Sequence, residues 1–144
     1  MMKTIRFLLA LILLTVVCQC NQHPQKSEHP ILGYYDLTVY DNSGLLVFTG
    51  TIQLETLEQN QLKGQCSIVR EKNGPQIPWN DQGPCEALLQ GKTIGFDFQP
   101  SIDDAGLLLE GELDEGRITG VWKTDGFFAS EALGRFEAVK RRTS

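Results

Sequence analysis

Carboxylates, cysteines and histidines are the side chains of this 144-residue sequence that could do chemistry, and their spacing decides how much. In the stretch LLLEGELD, Glu110, Glu112 and Asp114 fall on every second position, between Leu109, Gly111 and Leu113. In an extended strand that places all three on one face, opposite the apolar one. An acid/base pair needs a concave, desolvated setting, so a row on the polar face reads as solvated surface. Asp103-Asp104-Ala105-Gly106 has the composition of a calcium loop but lacks further oxygen ligands at fixed spacing, and reads as a hairpin turn. His23 and His29 both precede the first apolar-periodic segment, so a histidine base within the folded part has no candidate. Cys66 and Cys85 form an even pair, which in an oxidising compartment reads as a disulfide; a metal site would need more ligands than the sequence offers nearby. The sequence therefore predicts no catalytic residues, no metal site and no cofactor, and a protein that acts by binding.

The compartment follows from the N-terminus. Lys3 and Arg6 precede an apolar run from Phe7 to Val17, the charged and hydrophobic regions of an export signal. As a helix this run rises only about 16 Å, half of a bilayer's hydrocarbon core, and is too short for a permanent anchor. It ends in Val17-Cys18-Gln19-Cys20-Asn21. A cysteine directly after such a run resembles the lipobox of bacterial lipoproteins, in which that cysteine is lipidated and becomes the mature N-terminus. The resemblance implies lipidation of Cys20, or of Cys18. Since neither is followed by aspartate, it also implies an outer-membrane destination in the cell envelope. The alternative is ordinary cleavage before Asn21, giving a periplasmic or secreted protein.

On this reading residues 1–20 are a signal peptide. Residues 21–30 (NQHPQKSEHP), with two prolines and no aliphatic side chain, are a flexible tether, and 31–144 form the domain. The whole chain has 13 basic and 18 acidic residues; without Lys3 and Arg6 the net charge is about −7. Such a surface repels phosphate backbones, which argues against nucleic-acid binding. The basic cluster Lys140-Arg141-Arg142 reads as a solvated end.

From Ile31 onward the apolar residues recur with period two. Leu46, Phe48, Gly50, Ile52 and Leu54 alternate with Val47, Thr49, Thr51, Gln53 and Glu55. The same alternation runs through Tyr35-Leu37-Val39, Leu62-Gly64-Cys66-Ile68, Ile94-Phe96-Phe98, Leu107-Leu109-Gly111-Leu113, Ile118-Gly120-Trp122 and Gly134-Phe136-Ala138, with a shorter strand near Cys85–Gln90. Short turn-forming stretches (DNSG, EQN, DEG) connect several of them and permit only antiparallel neighbours. The predicted fold is all-β: an antiparallel up-and-down meander of about eight strands. Gly50, Gly64, Gly111, Gly120 and Gly134, with Gly91 as a further candidate, fall on the inward face. Inward positions without a Cβ suit strands that coil sharply, so the meander is expected to close into a barrel rather than stack as a sandwich.

From Gly33 to Val139 the chain resembles the calycin group of lipocalin-like and avidin-like barrels. Gly33-Tyr34-Tyr35 stands where lipocalins carry Gly-x-Trp, and the resemblance implies that Arg135 or Arg141 packs against Tyr35. It also implies a cup for a small apolar ligand, lined by Tyr35, Phe48, Phe96, Phe98, Trp122 and Phe136. The same aromatics equally suit a filled core. In that case the segment 71–84, EKNGPQIPWNDQGP, would present Trp79 to an envelope protein as the binding or inhibitory element.

Overall fold

The computed structural model describes residues 29–72, 74–75, 82–98, 106–124 and 131–142. Alternation of apolar and polar residues over these segments produces eight strands: β1 (Gly33–Asp41), β2 (Leu46–Glu58), β3 (Gln61–Arg70), β4 (Gln82–Gln90), β5 (Thr93–Asp97), β6 (Leu107–Asp114), β7 (Arg117–Thr124) and β8 (Gly134–Lys140). Each pairs antiparallel with the next, and β8 returns to β1, with Leu37 opposite Ala138 and Val39 opposite Phe136. The result is a closed barrel in meander order, as the sequence predicts.

The inward glycines show why the wall can close. A Cβ on Gly64 would lie 1.8 Å from the carbonyl oxygen of Gln53, and one on Gly50 2.1 Å from that of Ser67. Gly111 and Gly120 are register partners, and a Cβ on Gly120 would fall 2.0 Å from the Glu110 carbonyl oxygen. At these points neighbouring backbones approach too closely for any side chain to stand between them. Register shifts after Val39 and after Leu54 add local bends to β1 and β2. Gly91 has a different role from the one its place in the pattern suggests. It lies in the β4–β5 turn with φ 65°, where a glycine tolerates the left-handed backbone.

Strand β4 also begins earlier than its alternation predicts, at Gln82 rather than near Cys85, because it pairs with β3 as far as Ser67–Gln82. Pro84 thus sits inside a strand. Pairing between β4 and β5 begins only at Glu86, so the missing amide hydrogen costs no ladder bond there. The Cys66–Cys85 disulfide joins β3 to β4, with Cα atoms 5.7 Å apart and both cysteines buried. Its 19-residue separation corresponds to roughly 3 kcal/mol of stabilisation on the chain-entropy account.

The two ends of the barrel differ. At one end, the turn end, β2–β3, β4–β5 and β6–β7 are joined by two residues each, and Gln59, Gly91, Glu115 and Gly116 take positive φ. At the other, the loop end, the connections are 42–45, 71–81, 98–106 and 125–133. Of these, 73, 76–81, 99–105 and 125–130 lie outside the described residues, and with them Trp79 and the Asp103-Asp104 turn.

The backbone approaches predict a sharp split among glycine substitutions. Gly64→Ala and Gly120→Ala should each lower the free energy of unfolding by about 2–3 kcal/mol or more in urea titrations. Gly83→Ala, whose Cβ would meet nothing within 4 Å, should leave the midpoint close to wild type.

Candidate binding site

Every inward aromatic expected to line a cup is indeed inside the barrel. Tyr35, Phe48, Phe96, Phe98, Trp122 and Phe136 are between 0 and 5% exposed. They form two groups. Toward the turn end, Tyr35 packs in the floor, and its hydroxyl donates a 2.7 Å hydrogen bond to the carbonyl of Ile31. Ile31 is itself buried and ends a short turn, in which the Leu32 amide donates to the His29 carbonyl at 2.8 Å. Lys140, opposite Tyr35 across the β1–β8 seam, donates its ammonium to the Pro30 carbonyl. The segment preceding β1 therefore plugs this end.

Toward the loop end, Trp122 meets Phe48 edge-on, with ring centroids 5.8 Å apart and planes at 87°. Its indole Nε1 donates a 2.8 Å hydrogen bond to the Tyr40 carbonyl, two strands away. The path crosses Gly134 on the intervening strand, where a Cβ would stand 2.5 Å from Nε1. Phe136 lies over the Gly111–Gly120 notch, its ring tip 2.9 Å from the position of a Gly111 Cβ. Phe96 and Phe98 make a second edge-on pair at 6.4 Å. Glycine gaps and aromatic rings are complementary, and the rings occupy the space that the gaps leave.

The arginines expected beside Tyr35 are not there. Gly134, Phe136 and Ala138 face inward, so strand parity turns Arg135 outward, where its guanidinium stacks 5.2 Å from the Tyr40 ring centre. Arg141 lies past the end of β8 and bonds the Asp36 carboxylate through Nε at 2.9 Å, which holds that carboxyl below its usual range. The lysine that does reach the floor, Lys140, reads in the sequence as part of a solvated end; its place opposite Tyr35 is set by the pairing of the last strand with the first.

At the rim of the loop end, Asp41 organises the β1–β2 hairpin. Its carboxylate accepts hydrogen bonds from the Ser43 hydroxyl (2.6 Å) and from the amides of Ser43 and Leu45 (both 2.9 Å). These donors, the Ser43 hydroxyl foremost, hold its pKa below the ordinary carboxylate value. Asn42 reaches across to the Ala132 carbonyl at 3.3 Å, tying the hairpin to the β7–β8 connection. Thr49 and the Val47 carbonyl bind the side chain and amide of Glu71, fixing the start of the segment that leads to Trp79. The loop end is thus a set of long connections rooted in an ordered rim.

Glu110, Glu112 and Asp114 are exposed on the outer wall, and Glu110 is paired with Lys123 at 2.7 Å. Among the described residues, no group of three or more His, Cys, Asp or Glu side chains is placed to hold a metal ion.

The floor contact generates a pH prediction. Burial pushes the Tyr35 phenol up to about 12 from its ordinary 10, so the folded barrel keeps this proton where the unfolded chain releases it. The stability linked to it is whole below pH 10 and is lost as pH rises toward 12. Tyr35→Phe should cost about 1 kcal/mol in urea titrations at neutral pH, from the lost hydrogen bond. The same variant should lose less stability than wild type as pH is raised through 10 to 12.

No family model matches the chain, and no curated protein matches it. Among solved structures it is similar to EF1p2_mFAP2b bound to DFHBI, at 16% identity and TM-score 0.50, over 78% of this chain and 94% of that one. Two others are redesigned beta barrels: mFAP1 bound to DFHBI (15% identity, TM-score 0.47, 77% and 94% covered) and b11L5F_LGL (10%, 0.49, 78% and 92%). At these identities the likeness is one of fold: this chain shares the small, eight-stranded antiparallel barrel.

Proposed function

We propose that this chain is a non-enzymatic binding module of a bacterial cell envelope. It is tethered to the outer membrane through a lipid on Cys20 or Cys18 and recognises a protein partner at its loop end. The observation that supports the reading is the burial of the six inward aromatic side chains, none more than 5% exposed. Long connections gathered at one end of a barrel are the usual place for recognition, and Trp79 belongs in sequence to one of them, the connection 71–81. A second reading, a small apolar ligand, draws support from the similar barrel EF1p2_mFAP2b, whose structure is bound to DFHBI. In this chain such a ligand would sit next to the Trp122–Phe48 pair.

Two measurements separate these readings. Titrating a panel of apolar ligands into the mature Trp79→Phe protein should leave Trp122 fluorescence unchanged; saturable quenching by any of them would favour the cup. Cross-linking in envelope fractions should trap a defined protein with wild type and lose it with Trp79→Ala, while the thermal midpoint moves little. The anchor is tested by palmitate labelling in a bacterial host, expected to vanish with Cys20→Ser or with Cys18→Ser. Labelling that neither substitution affects, or no labelling at all, would contradict a lipid at this position.

A further inference from the structure

The chain enters and leaves the barrel at the turn end. β1 starts there at Gly33, and β8 finishes there at Lys140. The Arg141 amide donates to the Tyr34 carbonyl and the Lys140 amide to the Gly116 carbonyl, both at 2.8 Å. These bonds tie the exit of β8 to the start of β1 and to the β6–β7 turn. The residues ahead of β1 are held to the same end. Ile31 is 1% exposed and its carbonyl accepts the Tyr35 hydroxyl, while the Pro30 carbonyl accepts the Lys140 ammonium. All four long connections lie at the opposite end. The chain therefore comes in through the end that the loops do not occupy.

Covalent geometry turns this entry point into a constraint on an anchored protein. His29 follows Cys20 by nine residues and Cys18 by eleven. Such lengths reach at most about 30 Å and about 40 Å, and only at full extension. A random chain of the same length spans roughly 15–20 Å. β1, nine residues long, rises about 26 Å along its own direction, which is roughly 20 Å along the axis of a barrel with typical strand tilt. To bring the loop end to the surface that holds the lipid, the connecting chain would have to run back over the whole wall and past the rim. That needs close to its full extension and a large loss of conformational freedom. Lying flat is opposed by charge: Glu110, Glu112 and Asp114 are exposed on the wall, and an anionic lipid surface repels them.

We propose that the short connection to the lipid and its entry at the turn end stand the anchored barrel on that end, holding the loop end roughly 20 Å or more clear of the bilayer. This rests on the lipid at Cys20 or Cys18 proposed above, and it narrows what the loop end recognises. The partner is a protein whose contact surface stands in the aqueous space. A surface level with the lipid headgroups is out of reach. Ile31 under the Tyr35 hydroxyl and Pro30 under the Lys140 ammonium sharpen the constraint, because they bind the last residues before β1 to the floor and shorten the chain left to run to the lipid.

The test couples the mature chain, beginning at Cys20, through that thiol to a maleimide phospholipid in vesicles containing phosphatidylglycerol and a rhodamine-headgroup acceptor. Cys66 and Cys85 are bridged and buried and do not compete. Coupling at residue 20 reads the geometry whether or not a host adds the lipid, which palmitate labelling decides separately. A donor dye is carried on a keto amino acid in place of Lys92, in the β4–β5 turn, or, in a second protein, in place of Leu45, in the β1–β2 connection; both positions are exposed. Energy transfer should be about twofold or more higher from position 92 than from position 45, as expected across a barrel roughly 20 Å tall. Inserting about twenty Gly-Ser residues after Lys26 frees the barrel to turn over and should bring the two efficiencies together. Equal transfer from the two positions with the native connection, greater transfer from position 45, or a difference that the insertion leaves unchanged would each overturn the proposal.

Discussion

The hydrogen bond from the Trp122 indole to the Tyr40 carbonyl spans three strands, β7, β8 and β1, and much else in this barrel depends on it. It exists only because Gly134 leaves the middle strand bare, and it lies at the seam where the last strand meets the first. The same ring that pins the closure also fills the interior toward the loop end, edge-on to Phe48. Closure and filling are therefore one event here. A smaller residue at 122 would open both a cavity and the seam, and a larger one at 134 would exclude the ring.

With its aromatic side chains buried inside a closed cylinder, the recognition proposed here falls to the outside and the ends. The turn end is occupied by the chain's own N-terminal approach, Ile31 under the Tyr35 hydroxyl and Pro30 under the Lys140 ammonium. The loop end offers long connections on a rim held by Asp41, Asn42 and Glu71. A disulfide between adjacent strands and backbone contacts at the inward glycines make this scaffold stiff, which suits surfaces that must keep their shape.

Period-two alternation made the strands legible, since each apolar position from Tyr35 to Ala138 had one face to fill. The inward glycines made the curvature legible, and Cys66 with Cys85 the bridge. What could not be read were relationships between strands distant in sequence. Nothing near Gly134 announces that an indole must cross it, because its partner Tyr40 is on the first strand. Arg135 and Arg141 were placed by analogy beside Tyr35, whereas strand parity and the end of β8 turn both outward. Gly91 looked like the other glycines until its turn conformation was visible.

Amide hydrogen exchange across the β1–β8 seam, followed in the wild-type protein and in Trp122→Phe, tests the central claim most directly. If the indole pins the closure, seam amides in wild type exchange only with global unfolding. In the variant they should exchange by a local opening of lower free energy, while those of β2 and β3 still track the global transition. Seam amides that exchange early in wild type, or a variant whose seam remains as protected as the rest of its sheet, would show that the barrel does not depend on this contact.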